Sequence, residues 1–172
     1  MTESPAPEPG TPEWHRRLAI DANNATWGLL GRDDLDTDPD GADALLAAAS
    51  ASMYHWRLAT QPGAIERARA SYLVGKAHLA LGEGEAARRH ADRCATLTAE
   101  AGDSAADFDR AYTHELRARV LACLGDVDAA AEERRLADAV DIADADDRAL
   151  LESDLAAEPW FGLRPSYLRR AS

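Results

Sequence analysis

The chain has 172 residues, a length that suits one domain with a single core. Its 19 basic and 31 acidic residues give a net charge of −12, which repels phosphate backbones and anionic lipid headgroups and so argues against nucleic acid and membrane surfaces as partners. No run approaches the ~18–20 apolar residues of a membrane span, and the first residues do not resemble a signal peptide. We therefore expect a cytoplasmic protein.

The composition favours helices over strands. Hydrophobic residues make up 46% of the chain, but many of them are alanine, a strong helix former. Only three isoleucines and four valines occur, whereas strands draw on β-branched residues. The two cysteines, Cys94 and Cys123, do not form a Cys-x-x-Cys pair and are interpreted as buried thiols. We predict an all-α protein without a sheet.

The N-terminal part of the chain predicts a leader and two helices. Residues 1–10 contain three prolines among small and acidic residues, a composition typical of disorder. Thr11 followed by Pro12 is a helix start signal, and Asp38 followed by Pro39 repeats it for helix 2. The predicted buried stripe of helix 1 follows helical spacing and consists of Trp14, Leu18, Ala22, Ala25 and Leu29.

The remaining periodic segments predict five further helices at about 64–81, 85–101, 106–124, 127–143 and 144–155. Together the helices would form a single domain over residues 11–158. The tail at 159–172 carries Trp160, Phe161, Leu163 and Tyr167, which we expect to cap the last helices, since the end of a helical array needs a cover. The arginines of the tail suggest the alternative that it docks onto a second copy in a homodimer.

One pattern, Leu-Gly-acid-x-acid-Ala-Ala, occurs twice in the second half of the chain. It spans 81–87 and 124–130, so that Gly82 and Gly125 are 43 residues apart. Self-similarity at such a period indicates stacked supersecondary units. Each glycine would let the chain leave one helix in a left-handed conformation, and the acidic residues would lie at the positive N-terminus of the next. The pattern predicts two helical hairpins.

On these residues the chain resembles the tetratricopeptide-repeat family over about 68–143. The matching small residues are Gly75, Gly82, Ala87 and Cys94 in the first unit and Ala118, Gly125, Ala130 and Ala137 in the second. The period of 43 residues departs from the family's 34. HEAT-like pairing, with about 40–47 residues per unit, is the alternative. Either resemblance implies antiparallel helical hairpins stacked as a short array of about seven helices.

The resemblance implies a protein- or peptide-binding scaffold rather than an enzyme. The inner face of the first helix of each hairpin would form a basic, tyrosine-containing concave groove, since residues three or four apart share a helix face. The residues predicted to bind the partner there are Arg69, Tyr72, Lys76, Tyr112, Glu115 and Arg119. The cations would hold a carboxylate of the partner, with arginine binding it bidentately. The alternative is a solvated face on which Glu115 pairs with Arg119.

A second hypothesis places a small-molecule or metal site, with a possible enzymatic role, between helices 2, 3 and 5. Its candidate residues are His55, Trp56 and His114. No spacing supports a metal, because the residue four positions after His114 is Ala118, where the zinc-protease pattern requires a second histidine. We therefore predict no metal ligands and no cofactor.

Overall fold

The computed structural model describes residues 7–35, 37–59 and 63–161. Within these residues the chain forms seven α-helices and one short 3-10 helix, and no residue lies in a β-strand. The α-helices are α1 (Pro12–Leu30), α2 (Pro39–Leu58), α3 (Ala64–Ala80), α4 (Gly84–Ala101), α5 (Asp107–Cys123), α6 (Val127–Ala139) and α7 (Ala145–Ala156). The prediction of an all-α fold with about seven helices is confirmed.

The start of α1 follows from its capping residues. Thr11 Oγ1 accepts a hydrogen bond from the backbone N–H of Trp14 at 3.3 Å, and Pro12 occupies the first helical position. Such a cap satisfies one of the free N–H groups of the first turn, and proline there loses no hydrogen bond. The sequence signal and the helix start therefore coincide.

The end of α6 differs from its prediction. The helix stops at Ala139 instead of 143, because the chain becomes extended at Val140. Ile142 is buried in the core of the last helices, and the backbone N–H of Ala143 donates to Asp107 Oδ2 at 2.8 Å. These tertiary contacts replace the last helical turn that the local pattern predicted.

The two glycine turns have the same geometry. Gly82 and Gly125 adopt φ values of 71° and 83° in the left-handed region, where a side chain would be strained. The next residue, Glu83 or Asp126, donates its backbone N–H across the turn to a carbonyl five residues earlier, at 2.9 Å in both cases. This hydrogen bond is that of a Schellman motif. The repeated sequence thus produces a repeated backbone turn.

Helices α3 and α4 pack together, as do α5 and α6, and α4 packs on α5. Of the small residues that carry the family resemblance, all but the two turn glycines are buried. A Cβ atom at Gly75 would lie 3.0 Å from Leu116 Cδ2, so a larger side chain on α3 would push against α5. The two hairpins are therefore stacked closely through small residues. Membership of a repeat family stays a prediction.

The C-terminal part of the described chain closes the array. Helix α7 packs against α5 and α6, and Trp160 is completely buried in the core that these helices share. Phe161 packs against the same core and against the neighbouring one between α3, α4 and α5. Of the remaining tail residues, Leu163 and Tyr167 lie outside the described residues, as do positions 1–6 of the predicted leader.

Candidate functional site

The residues of the predicted groove lie on α3 and α5, and the structure brings them close together. The hydroxyl of Tyr72 donates to Glu115 Oε2 at 3.0 Å, and its ring meets the ring of Tyr112 edge-to-face with centroids 5.7 Å apart. Arg69, Tyr72 and Tyr112 line one cavity. The repeat explains the proximity, since Tyr72 and Glu115 are equivalent residues 43 positions apart on stacked helices.

Glu115 is the centre of a buried polar cluster beneath this cavity. It is completely buried and accepts hydrogen bonds from Tyr72, from Lys76 Nζ at 3.0 Å and from Arg119 Nε. Burial alone would raise the pKa of Glu115, but Lys76 and Arg119 outweigh it and hold the pKa below its ordinary value. Glu115 is therefore a buried carboxylate with two cationic partners.

Arg119 connects this cluster to the C-terminal part of the chain. Its side chain is only 2% exposed, and its guanidinium donates to the backbone carbonyls of Pro159 at 2.8 Å and Ala157 at 3.2 Å, and to that of Asp154. The guanidinium also lies over the ring of Trp160, 4.4 Å from its centroid. Arg119 thus holds residues 154–160 against α5.

Each cation of the predicted groove has a carboxylate partner inside the protein. Arg69 makes a bidentate pair with Asp109, with N–O distances of 2.8 and 2.9 Å, and Lys76 and Arg119 share Glu115. The sequence interpretation treated Lys76 and Arg119 as free to hold a carboxylate of the partner. In the structure Lys76 and Arg119 pair with the carboxylate of the protein's own Glu115 instead. The groove therefore presents little free positive charge.

The surface above the cluster forms a cavity of about 520 Å³, which we call the aromatic cavity. Helices α1, α3, α4, α5 and α7 contribute to it. Its lining comprises Asn23, Trp27, Ala68, Arg69, Tyr72, Leu73, Cys94, Thr98, Phe108, Asp109, Tyr112, Thr113, Asp147, Leu150 and Asp154. The centroids of the Trp27 and Tyr72 rings are 6.4 Å apart. Although about half of these residues are polar, most of the surface that the lining exposes to the cavity is apolar.

The charged residues of the aromatic cavity are mainly acidic. Arg69 is the one cation of its described lining, against the carboxylates of Asp109, Asp147 and Asp154. Tyr112 donates its hydroxyl to Asp154 Oδ2 at 2.7 Å. Burial, followed by this hydrogen bond, raises the pKa of Tyr112 well above its ordinary value, so the phenol stays protonated and serves as a donor.

The remaining polar groups of the wall are engaged in hydrogen bonds within the fold. Thr113 Oγ1 donates to the backbone carbonyl of Asp109 at 2.8 Å and lies 3.0 Å from Thr98 Oγ1. Cys94 Sγ is 3.6 Å from Thr113 Oγ1. Burial raises the pKa of the Cys94 thiol, and a thiol is a much weaker nucleophile than a thiolate. These groups stabilise the wall of the cavity.

Sequence reasoning missed two prominent residues of the cavity. Trp27 of α1 and Leu150 of α7 are 46% and 55% exposed, although both are large and apolar. Trp27 lies outside the predicted apolar stripe of helix 1, and an apolar residue on a polar face is the signal that could have found it. Leu150 carries no comparable signal, because its place depends on how α7 packs on α5.

The second predicted pocket is not assembled. His55 faces α1, where its Nδ1 lies 2.9 Å from His15 Nδ1, whereas His114 on α5 pairs with Glu133 of α6 at 2.7 Å. Trp56 is half-buried on α2. The two imidazoles therefore have different neighbours. In the described part of the chain, no group of three or more His, Cys, Asp or Glu side chains is arranged to hold a metal ion.

The histidine pair predicts a pH dependence of stability. Burial, and then the neighbouring His15, lowers the pKa of His55 below its usual value of 6.5. The unfolded chain therefore binds a proton at His55 more readily than the folded chain does. Protonation of His55 leaves the free energy of unfolding unchanged above pH 6.5 and lowers it as the pH drops below that value. We expect the urea midpoint to decrease between about pH 7 and pH 5, and the decrease to be smaller in a His55→Gln variant. An identical decrease in both proteins would contradict this assignment.

Comparison of the chain with protein families, curated proteins and solved structures gives no match. Among the helices of the described ranges, none combines the length and apolarity needed to cross a membrane. The geometry of this chain is therefore the basis for assigning it a function.

Proposed function

We propose that this protein is a helical scaffold that binds another protein or a peptide, and that the ligand inserts an apolar side chain into the aromatic cavity. The observation that carries the proposal is the open cavity of about 520 Å³ with exposed Trp27 and Leu150 in its lining. Large apolar residues left exposed around a concave surface are typical of interaction sites. Aromatic residues also dominate the energetic centres of protein interfaces.

The charges of the cavity indicate the chemistry of the ligand. The carboxylate partner expected from the sequence required free cations, whereas Arg69 is paired with Asp109. Asp147 and Asp154 add negative charge to the lining. Charge complementarity then favours a segment with a lysine or arginine beside its apolar anchor. In this arrangement the anchor would contact Tyr72 and the cation would face the two carboxylates.

The proposal is tested with peptides selected on the protein itself. A displayed library of random peptides is enriched on the wild-type chain, and the affinity of an enriched peptide is then measured for variants. A Trp27→Ala/Leu150→Ala double variant is expected to bind about 10- to 100-fold more weakly, because it removes the exposed apolar residues of the cavity. Both residues are partly exposed, so the fold should tolerate the change.

The matched control is a Tyr54→Ala/Val127→Ala double variant. Both side chains are large, apolar and exposed, and neither lines the aromatic cavity. We expect this variant to retain the affinity of the wild type. Equal losses in the two double variants would indicate nonspecific apolar binding and would overturn the proposal, as would a library in which the wild type enriches no peptide.

A small molecule is the second candidate ligand of the same cavity. The volume of about 520 Å³ lies within the range of small-molecule sites, roughly 300–1,000 Å³. Native mass spectrometry of the purified protein distinguishes the two candidates. A small molecule that is retained in the folded protein and released on unfolding would favour this second function, particularly if it competes with an enriched peptide.

A further inference from the structure

A second cavity lies on the other side of α3, and we call it the arginine pocket. Its volume is about 440 Å³, and it is lined by residues of α2, α3 and α4: Met53, Arg57, Arg67, Ala70, Ser71, Arg89, His90, Arg93 and Leu97. With 3.6 residues per helical turn, Arg67, Ala70 and Ser71 lie on the face of α3 opposite to the face of the aromatic cavity. The two cavities are therefore separate.

The arginine pocket gathers positive charge in a protein whose net charge is −12. Four guanidinium groups from three helices line it, and its described lining contains no carboxylate. Arg89 and Arg93 lie four residues apart on α4, where like charges repel. Neither they nor Arg57 form an ion pair within the described residues. Unpaired cations in such a cluster are a favourable environment for an anion.

Arg67 provides a second, independent indication of a ligand. Its Nε atom is buried and has no hydrogen-bond acceptor among the described residues. Its terminal nitrogen approaches Glu100 only to 3.6 Å, which is too long for a hydrogen bond. A buried donor without an acceptor is costly and calls for an explanation. Because Arg67 lines the arginine pocket, a small rotation of its side chain would give this donor an anion there as its acceptor.

The other walls limit the kind of anion that fits. Met53, Ala70 and Leu97 form an apolar side of the pocket, which suits an organic body attached to the charged group. His90 is half-buried, and burial, with His78 and Arg89, lowers its pKa, so the imidazole is neutral at neutral pH and can donate or accept a hydrogen bond. Ser71 already donates its hydroxyl to the backbone carbonyl of Arg67.

We propose that the arginine pocket binds a small phosphorylated molecule. A phosphate monoester carries about two negative charges and a diphosphate carries more. Both present several oxygens in different directions, which suits guanidinium groups that converge from three helices. Planar guanidinium forks bind such oxygens bidentately. A single carboxylate, with two oxygens, would pair with one guanidinium group and leave the others without a partner.

The test uses inorganic pyrophosphate as the probe and the full chain as the protein. Calorimetric titration at physiological salt is expected to show one site in the wild type. An Arg89→Gln/Arg93→Gln variant is expected to bind at least about tenfold more weakly, since two charge-assisted contacts are lost. Both arginines are exposed, so this variant should fold, and its melting temperature is measured to establish this.

The matched control is Arg16→Gln/Arg17→Gln on α1, which removes the same charge from an exposed surface outside the pocket. It should leave the affinity unchanged. A second readout is the NMR signal of the Arg67 Nε–H group, which should shift when pyrophosphate binds. The proposal fails if the two double variants lose affinity equally, if the wild type does not bind, or if the Arg67 signal does not move.

Malonate, a small dicarboxylate, tests the assignment to phosphoryl chemistry. At slightly acidic pH, where the comparison is made, the two anions carry comparable charge, but malonate divides its oxygens between two planar groups. We expect pyrophosphate to bind about tenfold more tightly or better. Equal affinities would overturn the phosphoryl assignment, and tighter binding of a phosphopeptide than of pyrophosphate would show that the occupant is a protein segment rather than a small molecule.

Discussion

Replacing Arg119 by alanine is expected to lower the free energy of unfolding by about 3–5 kcal/mol, because the substitution removes one partner of a buried ion pair. Glu115 would remain completely buried with Lys76 as its only cationic partner within the described structure. The carbonyls of Ala157 and Pro159 would lose their donor as well. Urea unfolding followed by circular dichroism measures the change.

The control for this substitution is Arg135→Ala. Arg135 also pairs with a glutamate on its own helix, Glu132, but both side chains are more than half exposed. An exposed pair of this kind contributes less than about 1 kcal/mol. If Arg119→Ala were as mild as Arg135→Ala, Arg119 would lie on a solvated face, and the buried cluster described above would be wrong.

The role of Arg119 also determines how groove variants should be interpreted. Loss of ligand binding in Arg119→Ala or Glu115→Ala would follow from local unfolding, because the two side chains connect α5 to α3 and to residues 154–160. Variants of Trp27 and Leu150 avoid this problem, since both side chains are partly exposed. Binding and stability can therefore be measured separately in this protein.

The helices could be predicted from the sequence because their boundaries depend on local chemistry. Proline after Thr11 marks the start of α1, and the left-handed glycines Gly82 and Gly125 end α3 and α5 with the same turn. Where tertiary contacts determine the end of a helix, the local sequence pattern did not predict that end. Helix α6 ends early because Ile142 is drawn into the core of the last helices.

The site was predicted only in part, for a physical reason. The 43-residue period correctly paired α3 with α5, so Tyr72 and Glu115 meet. Whether a polar residue on these helices is solvated depends on what covers it, and α7 and Trp160 cover Arg119. No local pattern encodes that contact. The arginine pocket was missed for a related reason, since its cations come from three helices and form no motif along the chain.

The second large effect is expected for Trp160→Ala, which should lower the free energy of unfolding by about 3–5 kcal/mol. Trp160 is completely buried, and two guanidinium groups lie over its ring, that of Arg119 at 4.4 Å and that of Arg134 at 5.5 Å from the ring centroid. Alanine would leave a cavity in the core shared by α5, α6 and α7 and would remove both cation–π contacts. Urea unfolding again provides the measurement.

Two variants separate the causes of this loss. Trp27→Ala removes the same type of side chain from a position that is 46% exposed, and should cost less than about 1 kcal/mol. Trp160→Phe keeps an aromatic ring beside Arg119, and it breaks no indole hydrogen bond because Trp160 Nε1 has no acceptor within the described structure. We therefore expect Trp160→Phe to be much milder than Trp160→Ala. If Trp160→Ala were as mild as Trp27→Ala, residues 157–160 would not be an integral part of the core, and Arg119 would lose the contacts that explain its burial.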